Sequence, residues 1–355
     1  MFNLLDRYIA KRVILASLLI LFLLIMLRAI FSLLEESRLI GRGDYEMADA
    51  FLYVALMLPQ KILELFPMGV LIGSLFGLGM LAANNELTVM RSAGMTTWRI
   101  AGATLKASLI LMVGVLFLSE IVAPAASKYA QQLRTSSLSD GKLSRSATGL
   151  WAKRDNQIIH ISSIHKNGEM HGISLFELDK NYQVKKLTEA KTASVTDEKW
   201  FLFEVTESHF FSDRVDKKYF DKMNWKNPID EDNIETLTLK PETLNIKGLL
   251  KYKKYLTNNS LDSGEIELAI WQKILLPFSL AIMMILAASF VFGPMRDVSM
   301  GARVLTGVML GFGFHLAKQS FGPISLIYGM SPFIGALIPL LVFSSLAIWL
   351  MRKSG

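Results

Sequence analysis

The 355-residue sequence contains no cysteine. Disulfides, thiolate nucleophiles and Cys-ligated zinc or iron–sulfur sites are therefore excluded at once. The compartment is not decided by this, since a domain of about 135 residues can fold on its hydrophobic core alone. No G-x-x-x-x-G-K-[ST] phosphate loop occurs, so the chain is not expected to hydrolyse ATP by itself. Gly73, Gly77 and Gly79 are no dinucleotide fingerprint, because they lie inside an apolar run instead of after a strand. Gly73-x-x-x-Gly77 and Gly307-x-x-x-Gly311 read instead as small-residue faces for close helix packing. Histidine is scarce, and His160 and His165, five apart in a predicted strand, point to opposite faces with no supporting carboxylate cluster, as surface histidines do. Low-complexity tracts and repeats of 20–50 residues are absent.

What is present is apolar. The chain is 52% hydrophobic with mean hydropathy +0.36, and carries 19% charged residues with a net charge of +7. That charge is unevenly spread: 22 of 38 basic and 19 of 31 acidic residues lie in 127–264. The flanks are left very apolar, which excludes disorder and a purely soluble protein. A bilayer crossing needs about 20 mostly apolar residues. Spans are expected at 13–34, 100–125, 266–292, 304–320 and 333–350. The run 47–83 is too long for one straight crossing; with Pro59, Lys61, Glu64 and Pro67 inside it, it reads as a surface segment, a kink, and a true span at 66–83.

The short segments at one set of span ends carry Arg7, Lys11, Arg12, Arg91, Arg99, Arg296, Arg303, Arg352 and Lys353. The opposite ends offer Arg38 and Arg42 against five acids between Glu35 and Asp49, and the loop 322–332 is uncharged. By the positive-inside rule both termini are cytoplasmic and the insert after the third span is outside, in the periplasm of a bacterial cell. The excess of positive charge thus marks topology and gives no indication of a nucleic-acid partner. Three parts follow: 1–126 with spans one to three, 127–264 as an outside domain, and 265–355 with spans four to six. Segments 156–164, 172–178, 200–205 and 234–239 alternate apolar with polar residues between Gly-, Asn-, Asp- and Lys-rich breaks. That pattern suggests an antiparallel sandwich or jelly roll with sheet edges to protect or to pair. The fold class expected is a six-span α-helical polytopic membrane protein with an inserted all-β, jelly-roll-like periplasmic domain.

Ionisable groups within spans cost at least about 2.5–3.5 kcal/mol at the bilayer centre. Here they are Arg28, Lys61, Glu64, Lys106, Glu120, Lys273, His315 and Lys318. Snorkelling from near the interface suits Lys106 and Lys273 well, and is the favoured reading, less strongly, for Glu120 and Lys318. Arg28, Ser32, Glu35 and Leu39 share one face of the first span, a polar stripe suited either to lipid phosphates or to pairing with Glu64. His315 and Lys318 share a face of the fifth span, which also carries Phe312. Between spans two and three, 84–99 is a short amphipathic segment. Leu87, Met90 and Trp98 can share one side, with Glu86 and Arg91 exposed, a device by which a separate ATPase could dock.

The segments LDRYI (5–9), LFPMGVLIGSLFGLGMLA (65–82), ELTVMRSAG (86–94), GLWAK (149–153), FVFGPMRDVSMGARVLTG (290–307) and QSFGPISLIYG (319–329) carry a resemblance. The chain resembles the LptF/LptG family of lipopolysaccharide export permeases, most closely its LptG branch, over nearly its whole length. The resemblance implies half of an ABC exporter: an LptF-like sister permease, an LptB-like ATPase dimer that binds ATP and Mg, an LptC-like membrane-anchored jellyroll protein, and lipopolysaccharide as cargo. No cofactor is then expected in this chain. The same resemblance places Glu86, with Leu87, Met90 and Arg91, on a coupling helix; Arg134 at the outer mouth of a lipid cavity; and Phe66 among its apolar lining. Where the family often has lysine, this chain has Ser32, and the charges around 59–64 and at Lys318 are shuffled. Candidate lipid-binding residues are therefore Arg28, Ser32, Glu35, Arg38, Phe66, Arg134, Phe312 and His315, with no catalytic residue and no metal ligand. The function expected is that of an inner-membrane permease subunit. The rivals are a lipoprotein-releasing or peptide-exporting permease, whose large outside domain follows the first span, and an intramembrane lipid-modifying enzyme, which would need a converging acid–base set.

Overall fold

In the computed structural model the described residues are 4–138, 142–143, 150–154, 156–165, 169–179, 183–196, 199–211, 213–225, 240–293 and 298–354. Among them, six helices are long and apolar enough to cross a membrane. α1 is Leu4–Ser37 and α2 is Met47–Ala83. α3 (Glu86–Ser92) is a single short helix, and α4 (Thr97–Phe117) runs through a π turn (Leu118–Val122) directly into α5 (Ala123–Leu138). After the strands come a 3₁₀ turn (Pro241–Thr243), α6 (Ile246–Asn258), α7 (Gly264–Phe292), α8 (Met300–Ile327) and α9 (Pro332–Ser354).

Two spans differ from expectation. The stretch 47–83 is one unbroken helix with Pro59 and Pro67 inside it. Its 37 residues extend about 55 Å, well beyond a bilayer core. The excess is accommodated because the helix is surrounded by protein: it is the most buried of the six. Likewise the third span does not end near 125 but stays helical to Leu138.

Lipid tails are as apolar as leucine, so helices in a membrane are held by close packing, and small residues permit it. A Cβ on Gly73 would strike the Ser17 backbone of α1, and one on Gly77 would meet Val13 Cα at 3.2 Å. On the other side of α2, a Cβ on Gly307 would lie 2.8 Å from Leu75, and one on Gly311 2.7 Å from Met68. The two glycine pairs thus seat α1 and α8 against α2, as their spacing predicts. The core so formed includes Val70, Leu71, Leu75, Leu78, Ile100, Leu280, Met283 and Met284. Arg303, one of the basic residues read as marking the cytoplasmic span ends, is buried, and its Nη1 donates to the Gly79 carbonyl at 2.9 Å.

The strands are β1 (Lys142–Leu143), β2 (Leu150–Arg154), β3 (Gln157–His165), β4 (Met170–Leu178), β5 (Val184–Thr196), β6 (Lys199–Phe210) and β7 (Val215–Asn224). They form one antiparallel sheet that meanders from β3 to β7, with β1 and β2 both pairing with β3. Ile159, Ile161, Ile173, Leu175, Leu202 and Val205 fill one face, closed by Trp225. Among the described residues this is a single sheet, not a two-sheet sandwich. β3, β4 and β6 fall where alternation predicts them. β5 and β7 were not expected, and β7 is almost wholly exposed. The predicted strand at 234–239, Arg296 and the side chain of His165 lie outside the described residues. α6 was also unexpected. Its Leu249 packs with Leu244, Ile266 and Ile270, while Tyr252 and Tyr255 reach the sheet core, so this helix links the two parts.

Candidate functional site

A cavity of about 650 Å³ opens at the end of the helix bundle that faces the sheet. Its apolar wall is Leu63, Leu65, Met68, Leu276 and Phe312; the 3₁₀ turn contributes Pro241 and Glu242, and α6 contributes Leu249. Four cations, Arg28, Lys61, Lys273 and Lys318, stand in it against two carboxylates, Glu64 and Glu242, with His315 beside them. A cavity with excess positive charge and a greasy wall favours an anion attached to apolar chains.

Most of the charges are already engaged. Arg28 does not reach Glu64; its Nη1 lies 3.5 Å from Glu35 on its own helix, both side chains being substantially exposed. Glu64 is held by Lys61, whose Nζ donates to both carboxylate oxygens at 2.9 and 3.1 Å. Lys273 does not snorkel outward: its Nζ donates to the Leu244 carbonyl at 2.5 Å and pairs with Glu120 at 3.4 Å. Glu120 sits in the π turn, and its other oxygen accepts from the Ile246 N–H at 3.0 Å. Lys106 likewise turns inward to the buried Asp6 carboxylate. The unusual number of intramembrane charges was the visible signal; their pairing across distant segments was not.

The other candidates are distributed as follows. Ser32 is half-buried on the Arg28 face, and Arg38 is exposed. Phe66 is buried in the helix core, and its neighbours Leu63, Leu65 and Met68 present the lining instead. Arg134 is locked in a separate cluster, with Nη2 3.2 Å from Glu36, Nη1 3.4 Å from the Tyr53 hydroxyl and the guanidinium over the Tyr53 ring at 5.0 Å. Tyr45 donates to the same Glu36 at 3.2 Å, and burial, followed by the Glu36 charge, pushes its phenol up from the usual value. His160 lies beside Trp151, ring centroids 4.4 Å apart.

At the opposite end of the bundle, α3 buries Leu87 and Met90 against the helix core and leaves Arg91 and Val89 exposed. Glu86 is partly buried and accepts from Asn84 at 3.4 Å. Trp98 belongs to α4 and is half-exposed, so it does not share the Leu87–Met90 side; Gly94, at φ +90°, turns the chain between the two helices. The arrangement presents one short helix whose inner face is fixed to the core and whose outer face is free to meet another protein.

Residues 7–353 match the family model described as lipopolysaccharide export system permease LptF/LptG. The chain is 36% identical over 357 aligned residues to the lipopolysaccharide export system permease protein LptG of Escherichia coli strain K12, covering 99% of each chain. It is 33% identical over 355 residues to the protein of the same name from Haemophilus influenzae strain KW20, again over 99% of each. With that match spanning both the membrane helices and the sheet, the chain belongs to the LptF/LptG family of lipopolysaccharide export system permeases.

Proposed function

We propose that this chain is a permease subunit that extracts lipopolysaccharide from the inner membrane and passes it to its own β-sheet domain. The observation that carries this reading is the cavity. It is greasy, cationic and lined by the 3₁₀ turn and by α6, the helix that reaches the sheet, and it lies in a chain whose relatives over full length are lipopolysaccharide export permeases. Exposing the acyl chains to water costs about 0.8 kcal/mol per CH₂, hence tens of kcal/mol for a multi-chain lipid. No single contact offsets that, so the route keeps the chains covered: apolar cavity first, then an apolar sheet face of jelly-roll type. Both termini and α3 are cytoplasmic and the sheet is periplasmic, in keeping with the distribution of Arg and Lys at the span ends.

Energy comes from outside the chain. An LptB-like ATPase dimer, holding ATP and Mg, docks on α3 through Glu86 and Arg91. Leu87 and Met90 tie that helix to the core, so an ATPase stroke reaches the cavity as a rigid-body shift. An LptF-like permease completes the membrane cavity, and an LptC-like jellyroll protein receives the lipid from the sheet. A photo-crosslinking residue at Arg28 or Phe312 is expected to capture lipopolysaccharide in an ATP-sensitive manner. Capture of phospholipid alone would refute the substrate.

A further inference from the structure

Three of the four cavity cations have partners: Arg28 holds Glu35, Lys61 holds Glu64, and Lys273 holds Glu120 and the Leu244 carbonyl. Lys318 has no hydrogen bond or ion pair among the described residues, though it is half-buried in the same cavity. The two carboxylates that line the same cavity are Glu64, already taken by Lys61, and Glu242. An ammonium in this position is expensive to leave uncompensated, and an arriving anion gains most by meeting it.

Glu242 lies on the 3₁₀ turn Pro241–Thr243, which roofs the cavity. The roof is tied down from three membrane segments. Gln60 of α2 donates to the Glu242 carbonyl at 3.0 Å, Lys273 of α7 donates to the Leu244 carbonyl, and Glu120 of the π turn accepts from Ile246. Beyond it, α6 is joined to the sheet, where the Tyr255 hydroxyl donates to the Lys153 carbonyl at 3.0 Å. The strap 240–246 is therefore a hydrogen-bonded link between cavity and sheet, and its one carboxylate lines the same cavity as Lys318, the cavity cation without a bonded partner among the described residues.

We infer that Lys318 binds a phosphate of the lipid headgroup, and that Glu242 is the resting counter-ion which this phosphate displaces. Loosening of the strap is thereby tied to filling of the cavity. The inference rests on the lipid-permease reading above and adds to it a specific anion-binding residue and a lid that responds to cargo. A phosphate offers two charges and three acceptor oxygens where the carboxylate offers one charge and two oxygens, so it competes well for one ammonium.

The test uses the full chain in its transporter complex in lipid nanodiscs, without ATP, with a photo-crosslinking residue at Phe312. The probes are bisphosphorylated lipid A and the same lipid with both phosphates removed. Unsubstituted at Lys318, the protein is expected to capture the phosphorylated form about tenfold better, the value of one charge-assisted contact. Lys318→Gln is expected to abolish that preference and Lys318→Arg to keep it. Glu242→Gln is expected to raise capture of the phosphorylated lipid severalfold when Lys318 is present and to change nothing in Lys318→Gln, the coupling a double-mutant cycle isolates. Undiminished preference in Lys318→Gln, or an equal gain from Glu242→Gln in both backgrounds, would overturn the inference. Complete displacement of the lipid by excess inorganic phosphate would also overturn it, since a free anion would then suffice. Failure to capture either lipid in any variant would instead strike at the permease reading itself.

Discussion

At the residue scale the chain is governed by a few positions where size or charge has no substitute. Gly73 is the tightest of the four glycines that seat α1 and α8 against α2, with Ser17 of α1 occupying the place of its missing side chain. Gly73→Val is expected to force α1 off α2 and to destabilise the protein by about 1–3 kcal/mol, as overpacking does. A lowered thermal midpoint in detergent, against no change for Gly102→Val where a Cβ meets open space, is the check. In the sheet, Glu207 shows how burial and pairing compete. Burial works most strongly against its charge, but Lys186 at 3.0 Å and His209 at 3.5 Å together outweigh it and hold its pKa below the usual carboxylate value. A lowered folded pKa gives stability that is present above the unfolded value of about 4.3 and is lost as pH falls through the folded one. Glu207→Gln is therefore expected to remove about 1 kcal/mol of the protection of β5 and β6 at neutral pH and to flatten its decline on acidification. Hydrogen exchange corrected for its intrinsic pH dependence measures both.

Single elements show what sequence pattern can and cannot reveal. Alternation located β3, β4 and β6 because each buries one face, as Ile159, Ile161, Ile173, Leu175, Leu202 and Val205 do. It missed β5, whose segment VKKLTEAKTASVT covers its face with alanine and threonine, and β7, which has no buried face to signal. It also missed α6, because that helix borrows its partners from α7 and the sheet. The prolines of α2 suggested a break that packing prevents. For the candidate site, the charges at Arg28 and His315 could be read as cavity residues, whereas Lys273 with Glu120 and Arg134 with Glu36 became pairs only when distant segments met. The short α3 was legible from Leu87 and Met90, though Trp98 was not part of it. Its proposed role makes a sharp demand: Glu86→Arg is expected to reduce lipid-coupled ATP hydrolysis at least tenfold, or to release the ATPase, while the thermal midpoint of the permease stays unchanged. Unaltered coupling would remove α3 from the drive train.

For the whole molecule, an apolar bundle built around α2 and an antiparallel sheet are joined through α6 and the strap before it, with a cationic cavity at the junction. The directional claim is that lipid enters the cavity first and leaves by way of the sheet. It is tested most directly by time-resolved photo-capture in the reconstituted transporter loaded with lipopolysaccharide, with one probe at Phe312 in the cavity and one at Met223 beside the sheet core. On addition of ATP, capture at Phe312 is expected to fall while capture at Met223 rises with the same time course. Capture at Met223 that precedes that at Phe312, or that never depends on ATP, would contradict it.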